Sequence, residues 1–390
     1  MRQVYLDYSA TTPVKKEVME EMLPYFSEKF GNPSSLYGIG LNAKSDLNQA
    51  RARVAKLIGA EEREIYFTSC GTEADNWAVI GTARAKKAKG NHIITSKIEH
   101  HALLHSCEFL EKEGFEVTYL DVDSKGLISL VDLENAITDK TILISIMFAN
   151  NEIGTIQPIK EIGEIAKKHG IWFHTDAVQA LYNVPIHVKE LGIDMMSMSA
   201  HKIYGPKGVG ALYIKKGVVI PSFMNGGAQE NKRRAGTENM PGIIGLGKAA
   251  ELAEANMGDH IKHVSELRDY FAEQILSKIP EVEINGSMEH RLPGNINFIF
   301  NYIEGESLLL LMDAKGIFAS TGSACSSASL TPSHVLKALK LPYEKIHSSI
   351  RFTTGDDTSR EDIDYAVEEI VKIVEKLRAI SPIYKQSTKG

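Results

Sequence analysis

The sequence predicts an α/β protein that has a mainly parallel central sheet in a large domain and a smaller α+β domain after it. Three observations carry this prediction. Between residues 64 and 174, short apolar runs alternate with amphipathic segments of helical period. These runs are rich in Ile, Val and Phe along their whole length, which is typical of strands covered on both faces. After about residue 255, strands become fewer and the alternation becomes closer.

The length and composition fit a two-domain globular protein. The 390 residues suffice for two domains at roughly 150 residues each. Hydrophobic residues make up 43% and charged residues 24%, which excludes collagen-like, coiled-coil and disordered chains. The 44 Lys and Arg and the 50 Asp and Glu give a formal net charge of −6, so the sequence lacks the excess of basic residues that is typical of nucleic-acid-binding proteins. No apolar stretch is long enough for a signal peptide or a membrane span, so we expect a cytoplasmic protein without membrane contact.

The cysteines exclude two further classes. There are three of them, Cys70, Cys107 and Cys325. An odd and sparse number does not build a disulfide framework, and it fits a reducing compartment. No C-x-x-C pair occurs, which excludes zinc ribbons and thioredoxin-like redox sites.

The elements follow, in chain order, from the spacing of apolar residues. A first helix is predicted over 14–30 because five apolar residues share one face: Val18, Met22, Tyr25, Phe26 and Phe30. A second helix over 41–58 ends at Gly59. Strands are predicted at 64–68, 92–95, 116–120, 141–147, 171–174, 195–199 and 210–214, and helices between them at 73–88, 102–113, 130–136 and 159–169. In the C-terminal part we expect helices at 261–278, 308–316, 335–339 and 359–377, and strands at 295–300 and 348–352.

Polar residues that follow apolar runs are site candidates, because ligands of open parallel sheets bind beyond the carboxyl ends of the strands. Asp176 ends the run over 171–175, and Gln179 lies one helical turn later. Lys202 follows the run over 194–198. A pyridoxal cofactor needs a carboxylate for its ring nitrogen and a lysine for its aldehyde, and these two residues are about one strand–helix–strand unit apart. Taken alone, Lys202 could be a surface lysine in a turn, and Asp176 could cap a helix.

The segment Ser69-Cys70-Gly71-Thr72-Glu73 lies between a predicted strand and a predicted helix. Gly71 allows close approach of the backbone, and Thr72 offers a hydroxyl at the helix N-terminus, which suits a phosphate group. The alternative is an ordinary capping threonine. The segment is not a Walker A loop, because no Gly-Lys-[Ser/Thr] follows at the required spacing.

Three histidines, His100, His101 and His105, follow the predicted strand over 92–95. His101 and His105 stand four residues apart on a predicted helix, but H-E-x-x-H is absent and no nearby carboxylate cluster completes a hydrolytic site. We therefore expect no metal. A histidine in this position better fits ring stacking or acid–base work.

Two residues of the C-terminal part offer further chemistry. Cys325 lies in a run of small residues over 320–329, which is typical of an exposed loop whose thiol could take up a group and swing out. The alternative is an incidental surface cysteine. Arg351, near a strand end, could bind a substrate carboxylate through two hydrogen bonds, or form a surface ion pair. We expect Cys70 and Cys107 to pack as small apolar residues.

These segments jointly resemble class V of the fold-type I pyridoxal-phosphate enzymes and, more narrowly, the cysteine desulfurases of the NifS/IscS kind. The resemblance runs from Tyr5-Leu6-Asp7-Tyr8 to the C-terminal helix, and its most specific pieces are at 68–73, 150–155, 199–202 and 322–325. It implies the fold-type I transferase fold, with a large cofactor-binding domain over 15–255. A small α+β domain, formed by 1–14 and 256–390, would carry Cys325. One departure is Asn225-Gly226-Gly227-Ala228, near the expected dimer contact, where relatives often have His-Gly-Gly-Gly.

The resemblance also implies roles around the cofactor, pyridoxal 5′-phosphate. Lys202 would bind its aldehyde covalently and shuttle protons. Asp176 would pair with the pyridinium nitrogen, and Gln179 would bond to the phenolic oxygen. His100 would stack on the ring and assist proton transfer. The phosphate would be held by five residues, the last of them from the other subunit of a homodimer: Gly71, Thr72, Ser199, His201 and Thr237.

For the reaction, the resemblance implies L-cysteine as the substrate. Asn151 and Arg351 would bind its carboxylate, and Asn151 would also lie near the ring. Cys325 would attack the sulfur of the bound cysteine, giving a persulfide and L-alanine, and an acceptor such as an iron–sulfur scaffold or a tRNA-thiolating enzyme would take the sulfur. A selenocysteine lyase and a class V aminotransferase are the alternatives, and the latter would not need Cys325. A non-catalytic sulfur-relay protein would lack the lysine or its ring partners, which are present.

Overall fold

The protein is built around a seven-stranded sheet, seen in a computed structural model that describes residues 2–322, 332–382 and 384. Its strand order is β2-β8-β7-β6-β5-β3-β4. Six of these strands run in the same direction and β8 runs against them, which confirms the prediction of a mainly parallel sheet. The strands of the described residues are β1 (Val4–Tyr5), β2 (Ile65–Thr68), β3 (His92–Ser96), β4 (Glu116–Leu120), β5 (Thr141–Ser145), β6 (Trp172–Asp176), β7 (Met195–Ser199), β8 (Gly210–Ile214), β9 (Val282–Ile284), β10 (Asn295–Phe300), β11 (Ile317–Phe318) and β12 (Ser349–Thr353).

Helices cover both faces of this sheet. Neighbouring residues of one strand enter different apolar clusters: Leu143 packs on the side of Trp77, whereas Ile144 packs on the side of Leu47. No helix of the described residues is long and apolar enough to cross a bilayer. The helices within the described ranges are α1 (Lys16–Met22), α2 (Pro24–Ser27), α3 (Gly38–Leu57), α4 (Gly71–Lys86), α5 (His101–Lys112), α6 (Leu130–Ala136), α7 (Ile159–His169), α8 (Gln229–Lys232), α9 (Met240–Lys278), α10 (Gly305–Asp313), α11 (His334–Ala338), α12 (Tyr343–His347) and α13 (Arg360–Ile380).

The C-terminal part has its own sheet and its own apolar cluster. Strands β12, β10 and β9 form an antiparallel sheet, and β11 pairs in parallel with β1. Val4 and Leu6 lie in one cluster with Phe271, Phe298 and Phe352, so the N-terminal strand packs with the C-terminal part. The predicted division into 15–255 and 1–14 with 256–390 stays a prediction, since residue 255 falls within the unbroken helix α9.

The predicted first helix over 14–30 forms two shorter helices, α1 and α2, and residues 28–30 lie outside both. The helical segment breaks at Leu23, before Pro24, because proline cannot continue the hydrogen bonding of the preceding turn. Val18 is buried as the periodicity predicts, but Phe26 and Phe30 are 64% and 69% exposed. Helical periodicity marks an apolar face and does not show what covers it.

Candidate active site

A cavity of about 200 Å³ lies beyond the carboxyl ends of the parallel strands. Because these ends meet at one edge of the sheet, residues far apart in the chain converge there. Ten of the twelve predicted site residues line this cavity: Gly71, Thr72, His100, Asn151, Asp176, Gln179, Ser199, His201, Lys202 and Arg351.

Asp176 is the last residue of β6, and Lys202 follows the neighbouring parallel strand β7. Lys202 ends a short 3₁₀ turn, and its Nζ donates to the carbonyl oxygens of Ser9 and Ala10. Asp176 accepts a hydrogen bond from the N–H of Val178 at 2.9 Å. Burial raises the pKa of Asp176 to about 6, against the opposing effects of that hydrogen bond and of the Lys202 charge. A carboxylate and an amine therefore meet in one wall of the cavity.

A second carboxyl group, Asp75 on α4, lies in the same wall and was missed in the sequence. It is 1% exposed, and its Oδ1, without a hydrogen-bond partner among the described residues, lies 3.7 Å from His174 Nε2. Burial, and then the charge of Asp176, raises the pKa of Asp75 well above its ordinary range. Burial also lowers the pKa of His174 to about 3, so this neutral ring does not offset two negative charges. The negative charge of this pair is therefore favoured on Asp176 over Asp75.

His100 precedes α5, and its surroundings keep its ring neutral. The N–H of Ala102 donates to Nδ1 at 3.1 Å, so the proton of the neutral ring sits on Nε2. Burial, followed by the charge of Lys202, lowers the pKa of His100 to about 4. The adjacent Glu99 is fully buried, and both its oxygens accept from the N–H of Met147 at 3.0 Å. This bond ties the loop after β3, which carries His100, to the loop after β5.

The turn between β2 and α4 forms one end of the cavity. A Cβ added at Gly71 would lie 2.8 Å from Cγ2 of Val178, so a larger residue would collide with that side chain. Thr72 is exposed at the N-terminus of α4, a helix of 16 residues whose dipole favours an anion at this end. His201 Nδ1 lies 3.1 Å from Thr11 Oγ1, and burial lowers the pKa of His201 to about 4. The turn thus offers backbone and hydroxyl donors to a phosphate group.

Arg351 on β12 contributes a buried cation to the cavity. It is 1% exposed, which excludes the surface ion pair that remained open from the sequence. Its Nη2 donates to Asp7 Oδ1 at 2.6 Å and its Nη1 to the carbonyl oxygen of Asn151 at 3.1 Å. Its Nε has no hydrogen-bond partner among the described residues. The guanidinium group therefore keeps unused donors beside the cavity.

The N-terminal segment forms a further wall, which the sequence did not indicate. Ser9 and Ala10 line the cavity, and the carbonyl oxygen of Ser9 accepts from both Lys202 Nζ and Gln179 Nε2. In the sequence this segment has only the pattern of a short strand and a turn. Its role as a wall follows from pairing with β11 and β12, which lie more than 300 residues later.

Two predicted site residues are not placed in the cavity. Thr237 is exposed and is not among the residues that line it. The segment before Thr237 is held to the β2–α4 turn, because Arg234 Nε donates to Glu73 at 2.7 Å. Cys325 lies outside the described residues.

The other two cysteines differ from each other. Cys107 is buried in an apolar cluster, as its predicted packing requires. Cys70 is half-buried and lines the cavity, so the prediction that it packs as a small apolar residue is wrong. Cys70 directly precedes α4, in the turn that connects β2 to this helix. The described residues contain no group of three or more His, Cys, Asp or Glu side chains arranged to hold a metal ion.

The chain is similar to known proteins over nearly its whole length. The family model of class-V aminotransferases matches residues 4–366. The cysteine desulfurase IscS of Clostridium botulinum is 59% identical over 391 aligned positions, which cover 100% of this chain and 98% of that protein. Among solved structures, a NifS-like protein is 38% identical with a TM-score of 0.91, covering 96% of this chain and 100% of that chain. The structure of SspA in complex with cysteine is 37% identical with a TM-score of 0.81, covering 90% and 99%. With its cavity at the carboxyl ends of a mainly parallel sheet, the chain belongs to the class-V aminotransferase family and, within it, to the cysteine desulfurases of the NifS/IscS kind.

Proposed function

We propose that the protein converts L-cysteine to L-alanine and transfers the sulfur to Cys325 as a persulfide. The observation that carries this proposal is one cavity in which Lys202 and Asp176 face a buried arginine, Arg351, in a chain that is 59% identical to a cysteine desulfurase. The similar SspA structure, which holds cysteine, supports the substrate.

Enzymes of this family depend on pyridoxal 5′-phosphate, and the residues of the cavity fit that group. A carboxylate suited to the ring nitrogen and an amine suited to the aldehyde are present in Asp176 and Lys202. The N-terminus of α4, which begins at Gly71, suits the phosphate. Gln179 would contact the phenolic oxygen, and His100 would stack on the ring. Thr72, Ser199 and His201 would complete the phosphate site, with Thr237 from a second subunit.

When bound, the cofactor supplies an electron sink for the electrons of the substrate Cα–H bond. Arg351 and Asn151 would hold the substrate carboxylate and so direct Cα towards Lys202. Lys202 would take the proton from Cα and return a proton to the product. His100, with its Nε2 proton, would assist proton transfer near the substrate thiol. Arg351 and Asn151 would thus bind the charged group of the substrate, whereas Lys202 and His100 would transfer protons.

The sulfur step balances without an added oxidant. The Cys325 thiolate attacks the substrate sulfur, so an S–S bond forms as the Cβ–S bond breaks. The electron pair of the broken bond stays with the three-carbon fragment, which gains a proton and leaves as L-alanine. An acceptor thiol or scaffold then takes the sulfur from the persulfide.

The proposed function is tested by incubating the purified holoenzyme with L-cysteine and a reductant. We expect sulfide and L-alanine in equal amounts, because each turnover releases one of each. L-Selenocysteine and amino acid–keto acid pairs are assayed in parallel. Transamination without sulfide would contradict the proposal, and so would activity confined to selenocysteine.

A homodimer is part of the proposed function. Monomeric proteins rarely expose contiguous apolar patches larger than a few hundred Å². Seven large apolar side chains between residues 23 and 41 are more than half exposed: Leu23, Phe26, Phe30, Leu36, Tyr37, Ile39 and Leu41. Thr237 is also exposed, which leaves it accessible to a second copy. These two features support a dimer in which each subunit completes the other's phosphate site.

The dimer prediction is tested with two charge substitutions. We expect Leu36→Asp to weaken dimerisation at least about tenfold, because burying an unpaired charge in an interface is unfavourable. Leu310→Asp is the matched control, since Leu310 is 72% exposed and lies on α10, away from the 23–41 segment. Sedimentation and sulfide release are measured for both variants. A parent protein that is active as a monomer would contradict this prediction.

The sulfur acceptor and the compartment belong to the same proposal. We infer donation to iron–sulfur cluster assembly or to other thio-cofactors, which the resemblance to cysteine desulfurases of the IscS kind supports. The odd and sparse cysteines support a cytoplasmic location.

A further inference from the structure

Arg351 uses only part of its hydrogen-bonding capacity within the protein. A guanidinium group has five N–H donors. One N–H of Nη2 bonds to Asp7 and one of Nη1 to the carbonyl oxygen of Asn151, whereas Nε has no partner among the described residues. Arg351 lines the cavity, and a carboxylate is the natural ligand for such unused donors. The direction in which the unused N–H donors of Arg351 point depends on the partners that bind the rest of the guanidinium group.

Asp7 is the charged partner that holds Arg351. The Nη2–Oδ1 distance is 2.6 Å, and the side chains are 1% and 15% exposed. Arg351 lines the cavity, whereas Asp7 is not among the described residues that line it, so the carboxylate supports the arginine from behind. A largely buried pair of this kind has a restricted geometry, because burial limits the access of water to both partners.

The backbone fixes Asp7 before any ligand arrives. Asp7 pairs with Thr353 on β12, and the N–H of Thr353 donates to the carbonyl oxygen of Leu6 at 2.8 Å. The hydroxyl of Tyr5 donates to the carbonyl oxygen of Asp7 at 2.9 Å. The N-terminal segment therefore cannot shift without breaking main-chain pairing to the strand that carries Arg351. This rigidity is what a preorganised binding group requires.

We propose that Asp7 is a positioning residue that orients Arg351 so that its unused N–H groups face the carboxylate of the substrate. The inference rests on the proposed function, in which Arg351 binds that carboxylate. Asp7 acts through Arg351 and does not touch the substrate. Asp7 therefore determines how strongly the enzyme prefers an amino acid with a free carboxylate to the corresponding ester, in which the carboxylate has no charge.

The charge of Asp7 depends on the same arginine. Burial raises the pKa of Asp7, and the charge and hydrogen bond of Arg351, together with the charge of Lys202, oppose this rise. Tyr5 is the other titratable group beside it, and burial raises its pKa to about 12, so it stays neutral. Loss of Asp7 would leave Arg351 with a neutral carbonyl as its remaining partner and with freedom to rotate.

The test compares L-cysteine with L-cysteine methyl ester, which lacks the carboxylate charge, on holoenzyme carrying Asp7→Asn or Asp7→Ala. We expect KM for L-cysteine to rise about tenfold to a hundredfold, the range for losing a hydrogen bond between charged groups, with kcat within about threefold. For the ester, kcat/KM stays within about twofold of the parent value. Asn keeps an acceptor oxygen without the charge, so Asp7→Asn has the smaller effect.

Two further readouts separate positioning from a general loss of structure. The affinity of the apoprotein for pyridoxal 5′-phosphate and the melting temperature are measured for each variant, and we expect unchanged cofactor affinity. Asp356→Asn is the matched control, because Asp356 also pairs with an N-terminal residue, Lys15, but does not contact Arg351. Equal KM effects in Asp356→Asn and Asp7→Asn would overturn the inference.

The remaining outcomes distinguish this inference from the function on which it rests. If KM for L-cysteine falls in Asp7→Asn, then Asp7 competes with the substrate for Arg351 and the inference is overturned. If Arg351→Gln abolishes the preference for L-cysteine over the ester but the Asp7 variants keep that preference, the inference about Asp7 fails and the role of Arg351 stands. If Arg351→Gln also keeps it, the role of Arg351 in the proposed function fails as well.

Discussion

Lys202→Ala is expected to lower sulfide and alanine release by at least about 10⁴-fold, the upper end of the range for a single acid–base group. Lys202 is the one lysine that lines the cavity among the described residues, so no neighbouring amine can replace it. Its Nζ is held by the carbonyl oxygens of Ser9 and Ala10, next to the Asp176 carboxylate. The variant therefore loses two functions at once: the covalent attachment of the cofactor and the group that carries the proton to and from Cα.

Lys202→Arg is the matched control for charge. It keeps a cation near Ser9 and Ala10, but a guanidinium does not deprotonate at neutral pH and cannot serve as the amine. We expect it to be as inactive as Lys202→Ala while binding more of the cofactor non-covalently. The mass of each chain after borohydride reduction reports covalent attachment. If the Lys202→Ala chain still gained the mass of the cofactor, the assignment of Lys202 would be wrong.

Cys325→Ala is expected to lower sulfur transfer by at least about 10³-fold, because a nucleophile that forms a covalent intermediate has no substitute when its thiol is removed. Cofactor affinity should stay unchanged. The measurements are sulfide release and, in a single turnover with ³⁵S-cysteine, the peptide that carries the label. We expect the label on the peptide that contains Cys325.

Cys70→Ala is the control that the structure makes necessary. Cys70 places a second thiol in the lining of the cavity, directly before the N-terminus of α4. It therefore has to be tested as a nucleophile in its own right. We expect Cys70→Ala to retain sulfur transfer within about threefold, because its turn is suited to phosphate rather than substrate. Label on Cys70, or sulfide release by Cys325→Ala at the parent rate, would contradict the persulfide assignment.

The sequence was informative where chemistry depends on the end of a strand. Asp176 ends one apolar run and Lys202 lies four residues after another, and runs of that kind become parallel strands whose carboxyl ends meet. Their convergence in one cavity could therefore be predicted from the sequence alone. The extended match to known desulfurases then supports the fold and the family over the whole chain.

Other features could not be anticipated, because they depend on partners far away in the chain. Asp75 occurs in a helix with small and apolar neighbours, and only its burial beside Asp176 raises its pKa. Phe26 and Phe30 satisfy a helical period, yet both side chains are exposed, because periodicity does not show whether anything packs on that face. In the sequence, Cys70 resembles a small apolar residue of the core, whereas in the structure the turn between β2 and α4 places it in the cavity lining.

The sequence by itself determined the class of fold, the kind of cofactor and most of the residues around it, because strand ends and their polar neighbours are local properties. The tertiary structure decided which side chains form ion pairs, which are buried and which ionisable groups are charged. Asp7 and Arg351 are 344 positions apart, and only the pairing of the N-terminal segment with β12 brings their charges within 2.6 Å. Desolvation and ion pairing act through space, so they are set by the folded chain and not by neighbours in sequence.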